Sequence, residues 1–154
     1  LGCNIAYLAS NPDQRHKLIA NPSLLDAAVE ELMRWDTPVT AVPRVIKQTT
    51  TLHGVELPEG EMVTLLIGAC NVDGDEFDNP DVVDFERERN RHLGFGAGAH
   101  RCLGSHLARM ELRVALEEWH RRIPEYQIKP GETPQYSAGI REVLYLPLSW
   151  KNGG

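Results

Sequence analysis

The stretch HLGFGAGAHRCLGSHLARMEL, residues 92 to 112, constrains the fold more than any other part of this chain. Closely spaced glycines admit backbone conformations that other residues avoid, so they predict a tight loop rather than a continuing helix or strand. Beyond Gly104 the pattern changes. Leu107, Met110 and Val114 recur at helical spacing, as do Leu112, Leu116 and Trp119, and Pro124 lies just past the end. A long helix is predicted there. Cys102 stands between loop and helix, and a helix N-terminus favours an anion, so this cysteine is placed to act as a thiolate.

The N-terminal third reads as three helices separated by Asn-Pro punctuation: LGCNIAYLAS, then NPDQRHKLIAN, then NPSLLDAAVEELMRW, with Pro38 ending the third. Residues 40 to 70 are rich in β-branched side chains, with turns at His53-Gly54 and Pro58-Glu59-Gly60, and predict short strands and hairpins. Residues 71 to 91 are too polar and turn-rich for a regular element and predict a long surface meander. The tail after Pro124 returns to short strands. The fold class expected is mainly α with small β-sheets, α+β, with residues 1–154 forming part of a single domain.

At 154 residues and 42% hydrophobic the chain can bury a real core. Its net charge of −6 argues against general nucleic-acid binding. No apolar run is long enough to predict a membrane span. Three cysteines, Cys3, Cys70 and Cys102, are an odd number at scattered spacing, which is no disulfide framework and predicts a reducing, cytoplasmic setting. The opening LGCNIAYLAS reads like the middle or end of a helix, so a piece of a longer protein is expected.

On a helical wheel of SLLDAAVEELMRW, most of the circumference is apolar, and Glu31 falls among Leu24, Ala27 and Trp35 with Arg34 at i+3. A carboxylate in that sector needs a cation, because an unpaired buried charge costs several kcal/mol. A buried Glu31–Arg34 ion pair is therefore expected, against the alternative of an ordinary exposed i,i+3 pair.

Cys102 alone could be an inert buried thiol. His100, Cys102 and His106 lack the four-ligand spacing of structural zinc. GFGAGA lacks the third glycine and the acidic residue of a dinucleotide fingerprint. DGDEFD starts like a calcium loop but has Phe77 and Asp78 where an oxygen ligand and a glycine belong. The full arrangement resembles the cytochrome P450 superfamily of haem-thiolate oxygenases. FGAGAHRCLG, Phe95 to Gly104, matches that family's cysteine-ligand loop, and EELMR supplies its ExxR helix as Glu31 and Arg34. The closing SAGIREVLYLPLSW also looks like the end of a soluble bacterial member.

The resemblance implies the C-terminal, haem-ligating part of that fold. Cys102 would be the catalytic, iron-ligating residue of haem b, with backbone amides pointing at its sulfur and Gly98 and Gly104 permitting their close approach. Phe95 would pack beside porphyrin and sulfur, and His100 and Arg44 would reach haem propionates. Thr40, Val42 and Ile140 align with segments that line the substrate pocket in relatives. The implied reaction inserts one oxygen atom from O2 into a hydrophobic small molecule. NAD(P)H would supply electrons through a reductase and a ferredoxin or flavodoxin. A peroxide-using or rearranging haem-thiolate enzyme stays open, as does a non-catalytic haem-binding remnant. The family's oxygen-activating acid-alcohol pair would lie before Leu1, so the 154 residues alone are expected not to turn over substrate.

Two positions depart from the family pattern. Val82 stands where a meander arginine usually completes the ExxR pair, which leaves Arg87 or another nearby cation to substitute, and Val72 stands where relatives commonly carry arginine. His106, Arg109 and Arg113 form one helical stripe beside Cys102. Residues 87 to 113 hold six arginines against Glu88 and Glu111, in a chain whose net charge is negative. That asymmetry predicts a docking face for an acidic electron donor, against the alternative of a solvated helix face balanced by salt bridges, with Arg113 and Glu117 spaced for one.

Overall fold

The structure, a computed structural model, describes residues 1–137 and 139–150. Two prolines organise its first third. A proline ring pushes the residue before it out of the helical region, and Asn11 and Asn21 sit at φ −128°, ψ 74° and φ −134°, ψ 81°. Each stops one helix, while the proline that follows starts the next element. The products are α1 (Gly2–Ser10), α2 (Pro12–Ala20), a 3-10 turn at Pro22–Leu24 and α3 (Leu25–Trp35). Asn11 Nδ2 donates to the Tyr7 carbonyl at 2.8 Å and satisfies an acceptor that the end of α1 leaves free.

Past Pro38 the chain forms β1 (Val42–Val45), β2 (Thr50–Leu52), β3 (Val55–Leu57) and β4 (Met62–Leu65). β1 and β4 pair antiparallel with Val42 opposite Leu65, and β2 and β3 form a hairpin between them. His53 and Gly54 both have positive φ, 48° and 80°, as a two-residue turn matched to strand twist requires. The strand-rich stretch ends earlier than its composition predicts. Ile67–Cys70 is a helical turn, α4, in which Gly68 N–H donates to the Thr40 carbonyl at 2.9 Å.

Residues 71 to 91 hold no helix or strand, as expected, yet they are not merely surface. Phe77, Val83 and Phe85 are buried, and Val83 and Phe85 belong to the core. Three inward side chains on a run of turns have no period for a sequence to display.

The long helix α5 (Ser105–Arg122) packs along α3. Its two apolar rows part company: Leu116 is fully buried with Leu112 and Trp119 against the core, whereas Leu107, Met110 and Val114 are about half exposed. The core they join combines Ile5 and Leu8 of α1, Leu18 of α2, and Leu25, Ala28, Val29 and Leu32 of α3. The tail forms β5 (Tyr126–Ile128), β6 (Gln135–Tyr136), β7 (Val143–Tyr145) and β8 (Leu148–Trp150), paired antiparallel as β5 with β8 and β6 with β7. Among the described residues no helix is long and apolar enough to cross a membrane.

Candidate functional site

The site rests on a buried carboxylate. Glu31 and Arg34 are both fully buried on α3, and the guanidinium donates to both Glu31 oxygens, from Nη2 at 2.8 Å and Nε at 2.9 Å. Burying charge is unfavourable unless every lone pair finds a donor, and here the meander supplies the remainder. Arg87 Nε lies 3.1 and 3.2 Å from the two oxygens, Asn90 Nδ2 donates at 3.1 Å and the Asp84 N–H at 2.9 Å. Burial alone would raise the Glu31 carboxyl, but the bonds from Arg34, Asp84 and Arg87 overcome it and hold the group below its ordinary value. The missing meander arginine is thus found at Arg87. Val82 contributes only its carbonyl, which accepts from both Arg34 and Arg87 at 3.0 Å.

Arg34 also donates to the carbonyls of Asn71 and Pro80. Asn71 is itself fully buried; its Nδ2 donates to Thr37 Oγ1, and its Oδ1 accepts from the Leu93 N–H at 2.7 Å. That contact fixes the start of the cysteine loop relative to the end of α3. Sequence reasoning missed Asn71, Asn90 and the role of Glu30 described below, because polar residues in a meander carry no periodic signal of burial.

The loop closes on itself. Gly96 N–H donates to the Leu93 carbonyl, Cys102 N–H to the Phe95 carbonyl, both at 2.8 Å, and a 3-10 turn at Gly98–His100 brings Arg101 N–H to the Gly98 carbonyl. Gly96 and Gly98 have φ of 69° and 63°, which favours glycine. At Gly96 a Cβ would also lie 3.3 Å from the His100 carbonyl oxygen, whereas around Gly98 the space is open. The glycine roles therefore differ from those expected. Gly98 is needed for its backbone angle, Gly96 for angle and space, and a Cβ at Gly104 would only touch the Cys102 sulfur at 4.0 Å. Among the described residues no amide donates to Cys102 Sγ; the side chain is exposed and free to take a ligand.

Around it, His100 and Arg44 are exposed, and Arg44 Nη1 donates to the Pro43 carbonyl. Thr40 and Val42 are half-buried and Ile140 is exposed. The Arg141 N–H donates to the Pro38 carbonyl at 2.7 Å, which brings the Ile140 turn beside the segment that carries Thr40 and Val42.

The basic stripe is less free than its sequence predicts. Arg109 binds Glu30 of α3 through Nε at 2.5 Å and Nη2 at 2.8 Å, and Arg113 pairs with Asp26 at 3.3 Å and Glu117 at 3.9 Å. Arg87 is committed to Glu31 and Arg89 to Glu76. α3 presents its acidic residues to α5, so the local excess of positive charge is largely neutralised within the fold. His106, Arg91 and Arg101 are exposed without an ion pair among the described residues.

Comparison with known proteins agrees with this arrangement. The pattern of the family "Cytochrome P450" matches residues 7–134. The chain is 43% identical over 152 residues to the mycinamicin IV hydroxylase/epoxidase of Micromonospora griseorubida, covering 95% of this chain and 38% of that protein. It is 38% identical to the biotin biosynthesis cytochrome P450 of Bacillus subtilis, covering 96% of this chain and 38% of that one. Among solved structures it superposes on CYP109E1 from Bacillus megaterium, solved in complex with testosterone, with a TM-score of 0.93 at 32% identity, covering 99% of this chain and 42% of that chain. The chain thus spans about two fifths of the length of its relatives. By its sequence pattern, its cysteine loop and its fold, it belongs to the cytochrome P450 family.

Proposed function

We propose that the protein is a haem-thiolate monooxygenase in which Cys102 would ligate the iron. The observation that carries this reading is an exposed thiol at the end of a hydrogen-bonded loop, tied through Asn71 to the buried Glu31–Arg34–Arg87 cluster. The donor set suits haem. A lone thiol would hold the iron and supply the electron density that favours O–O cleavage. His100 and Arg44 are exposed and able to meet propionates, and the apolar Leu103 and Leu107, which follow Cys102 in the chain, are exposed as well.

Haem held by a thiolate supplies the activation of O2, so that one oxygen atom enters substrate and the other leaves as water. The chain's own residues position that chemistry. Gly96 and Gly98 bend the loop, Phe95 fixes the Cys102 amide through its carbonyl, and the buried cluster holds the loop's base. Thr40, Val42 and Ile140 are proposed to face a hydrophobic small molecule. Electrons from NAD(P)H would arrive by way of a ferredoxin or flavodoxin at the face of His106, Arg109 and Arg113, and the exposed Arg91 and Arg101, which have no ion pair among the described residues, would add to the steering charge. The setting proposed is cytoplasmic, and residues 1–154 are proposed to form one part of a single catalytic domain that does not turn over substrate by themselves.

The deciding measurement is the CO-difference spectrum of the reduced, haem-loaded full-length protein. A strongly red-shifted Soret band that disappears in Cys102→Ser is expected. Retention of that band in the variant, or failure of the unaltered protein to bind haem, overturns the assignment.

A further inference from the structure

Glu30 stands beside Glu31 on α3 but does different work. It is partly exposed, yet this one carboxylate gathers two distant residues. Arg109, 79 positions away on α5, binds it with two hydrogen bonds, and His92 Nε2 meets Oε2 at 3.0 Å from the start of the cysteine loop. The opposite nitrogen of His92, Nδ1, accepts the Gly94 N–H at 3.0 Å, so the ring proton sits on Nε2 and points at Glu30. A Cβ at Gly94 would lie 3.0 Å from both His92 Nδ1 and the Met33 carbonyl, which keeps this loop base closed against α3.

Both partners then reach one ring. The Arg109 guanidinium lies over Phe95, with Cζ 4.3 Å from the ring centroid, and the His92 ring lies 6.0 Å from it at a tilt of 48°. The Phe95 carbonyl accepts the Cys102 N–H. Glu30 is thereby linked through His92, Arg109 and Phe95 to the backbone of Cys102. Burial alone would raise the Glu30 carboxyl, but the bonds from His92 and Arg109 bring it down to about 2. Arg109 is held charged chiefly by its bond to Glu30.

We propose that Glu30 is a positioning residue for the Cys102 loop and the counter-charge of Arg109, so that this pair sets the electrostatic environment in which the thiolate-ligated iron changes oxidation state. The proposal rests on the assignment of Cys102 as the iron ligand. With Glu30 ionised and Arg109 protonated, the pair adds no net charge beside the sulfur. Removing either leaves the other uncompensated. Reduction adds a negative charge at the iron centre, so an unbalanced arginine favours the ferrous form and an unbalanced glutamate the ferric form.

The test is equilibrium redox titration of the haem-loaded full-length protein and its variants. Glu30→Gln is expected to shift the ferric–ferrous equilibrium toward ferrous by threefold or more, a tenfold shift being about 59 mV for one electron. Arg109→Gln is expected to shift it toward ferric, and the double variant to return within about twofold of the unaltered protein. A merely structural role gives no such opposition of sign. Either single variant unchanged, or both moving in one direction, overturns the proposal. Should Glu30→Gln fail to retain haem, Arg109→Gln decides alone: a shift toward ferric supports the proposal and its absence overturns it. Cys102→Ser is titrated beside them. If it keeps the red-shifted CO band, the ligand assignment has failed; if it loses the band while the pair variants stay at the unaltered value, only the role of Glu30 has failed.

Discussion

At the scale of single residues, Glu31 carries more of this structure than any other side chain. It is surrounded by two guanidiniums, a side-chain amide and a backbone N–H, in a place where water cannot replace them. Removing one member of a buried ion pair strands the rest, at a cost of about 3–5 kcal/mol. Glu31→Gln should therefore lower stability by that order and reduce haem retention, whereas Arg87→Ala should cost less because Arg34 still pairs the carboxylate. Urea unfolding of the full-length protein read by tryptophan fluorescence checks the ranking; equal losses would contradict it. The burial of Glu31 and Arg34 was legible from the helical wheel, because their neighbours within one turn decide it. The second cation was legible only as a candidate, since Val82 in the meander left Arg87 or another nearby basic group to complete the pair. Six arginines lie between residues 87 and 113, and only the path of the meander selects Arg87, 56 residues from its partner.

At the scale of elements, the cysteine loop and α5 act as one unit with two demands. The loop must turn tightly, and its glycines satisfy that unequally. Ala at position 96 would meet both an unfavourable φ and the His100 carbonyl, so Gly96→Ala is expected to impair haem uptake more than Gly98→Ala, and Gly104→Ala least of all. Pyridine-haemochrome content per folded protein gives the order, and a reversed order would refute this account of the loop. The helix is expected to be amphipathic from its spacing, and it is, but its two apolar rows have opposite fates. Leu116 enters the core while Leu107, Met110 and Val114 face outward. Periodicity reports that a face is apolar; it does not say what covers it.

At the scale of the molecule, charge and pH dependence follow from packing. His120 of α5 is buried, with Nε2 3.1 Å from Tyr126 Oη and its ring stacked on Tyr126. Burial first, and then the charge of Arg15, push its pKa from 6.5 down to about 4. The folded protein thus keeps this ring neutral where the unfolded chain takes up a proton. Stability held above pH 6.5 is lost as pH falls toward 4, by on the order of 3 kcal/mol at about 1.4 kcal/mol per pH unit. His120→Gln should flatten that part of the stability profile, measured as Tm against pH between about 4 and 7; an unchanged slope would count against it. Glu30 acts lower, its stabilisation being lost as pH falls from 4.5 through about 2.

What the sequence determined by itself was local. Two Asn-Pro steps end two helices because a proline restricts the residue before it. Glycines shape the loop before Cys102, and EELMR buries an ion pair because its helix is apolar on nearly every side. The tertiary structure alone decided how distant charges meet. It directed Arg87 to Glu31, placed Asn71 between helix and loop, and set the acidic face of α3 against Arg109 and Arg113, turning a predicted basic stripe into mostly paired charge. The reason is physical. Backbone angles and i,i+3 pairs depend on neighbours a few residues away, whereas a carboxylate that captures a cation 56 or 79 residues distant depends on how the whole chain packs.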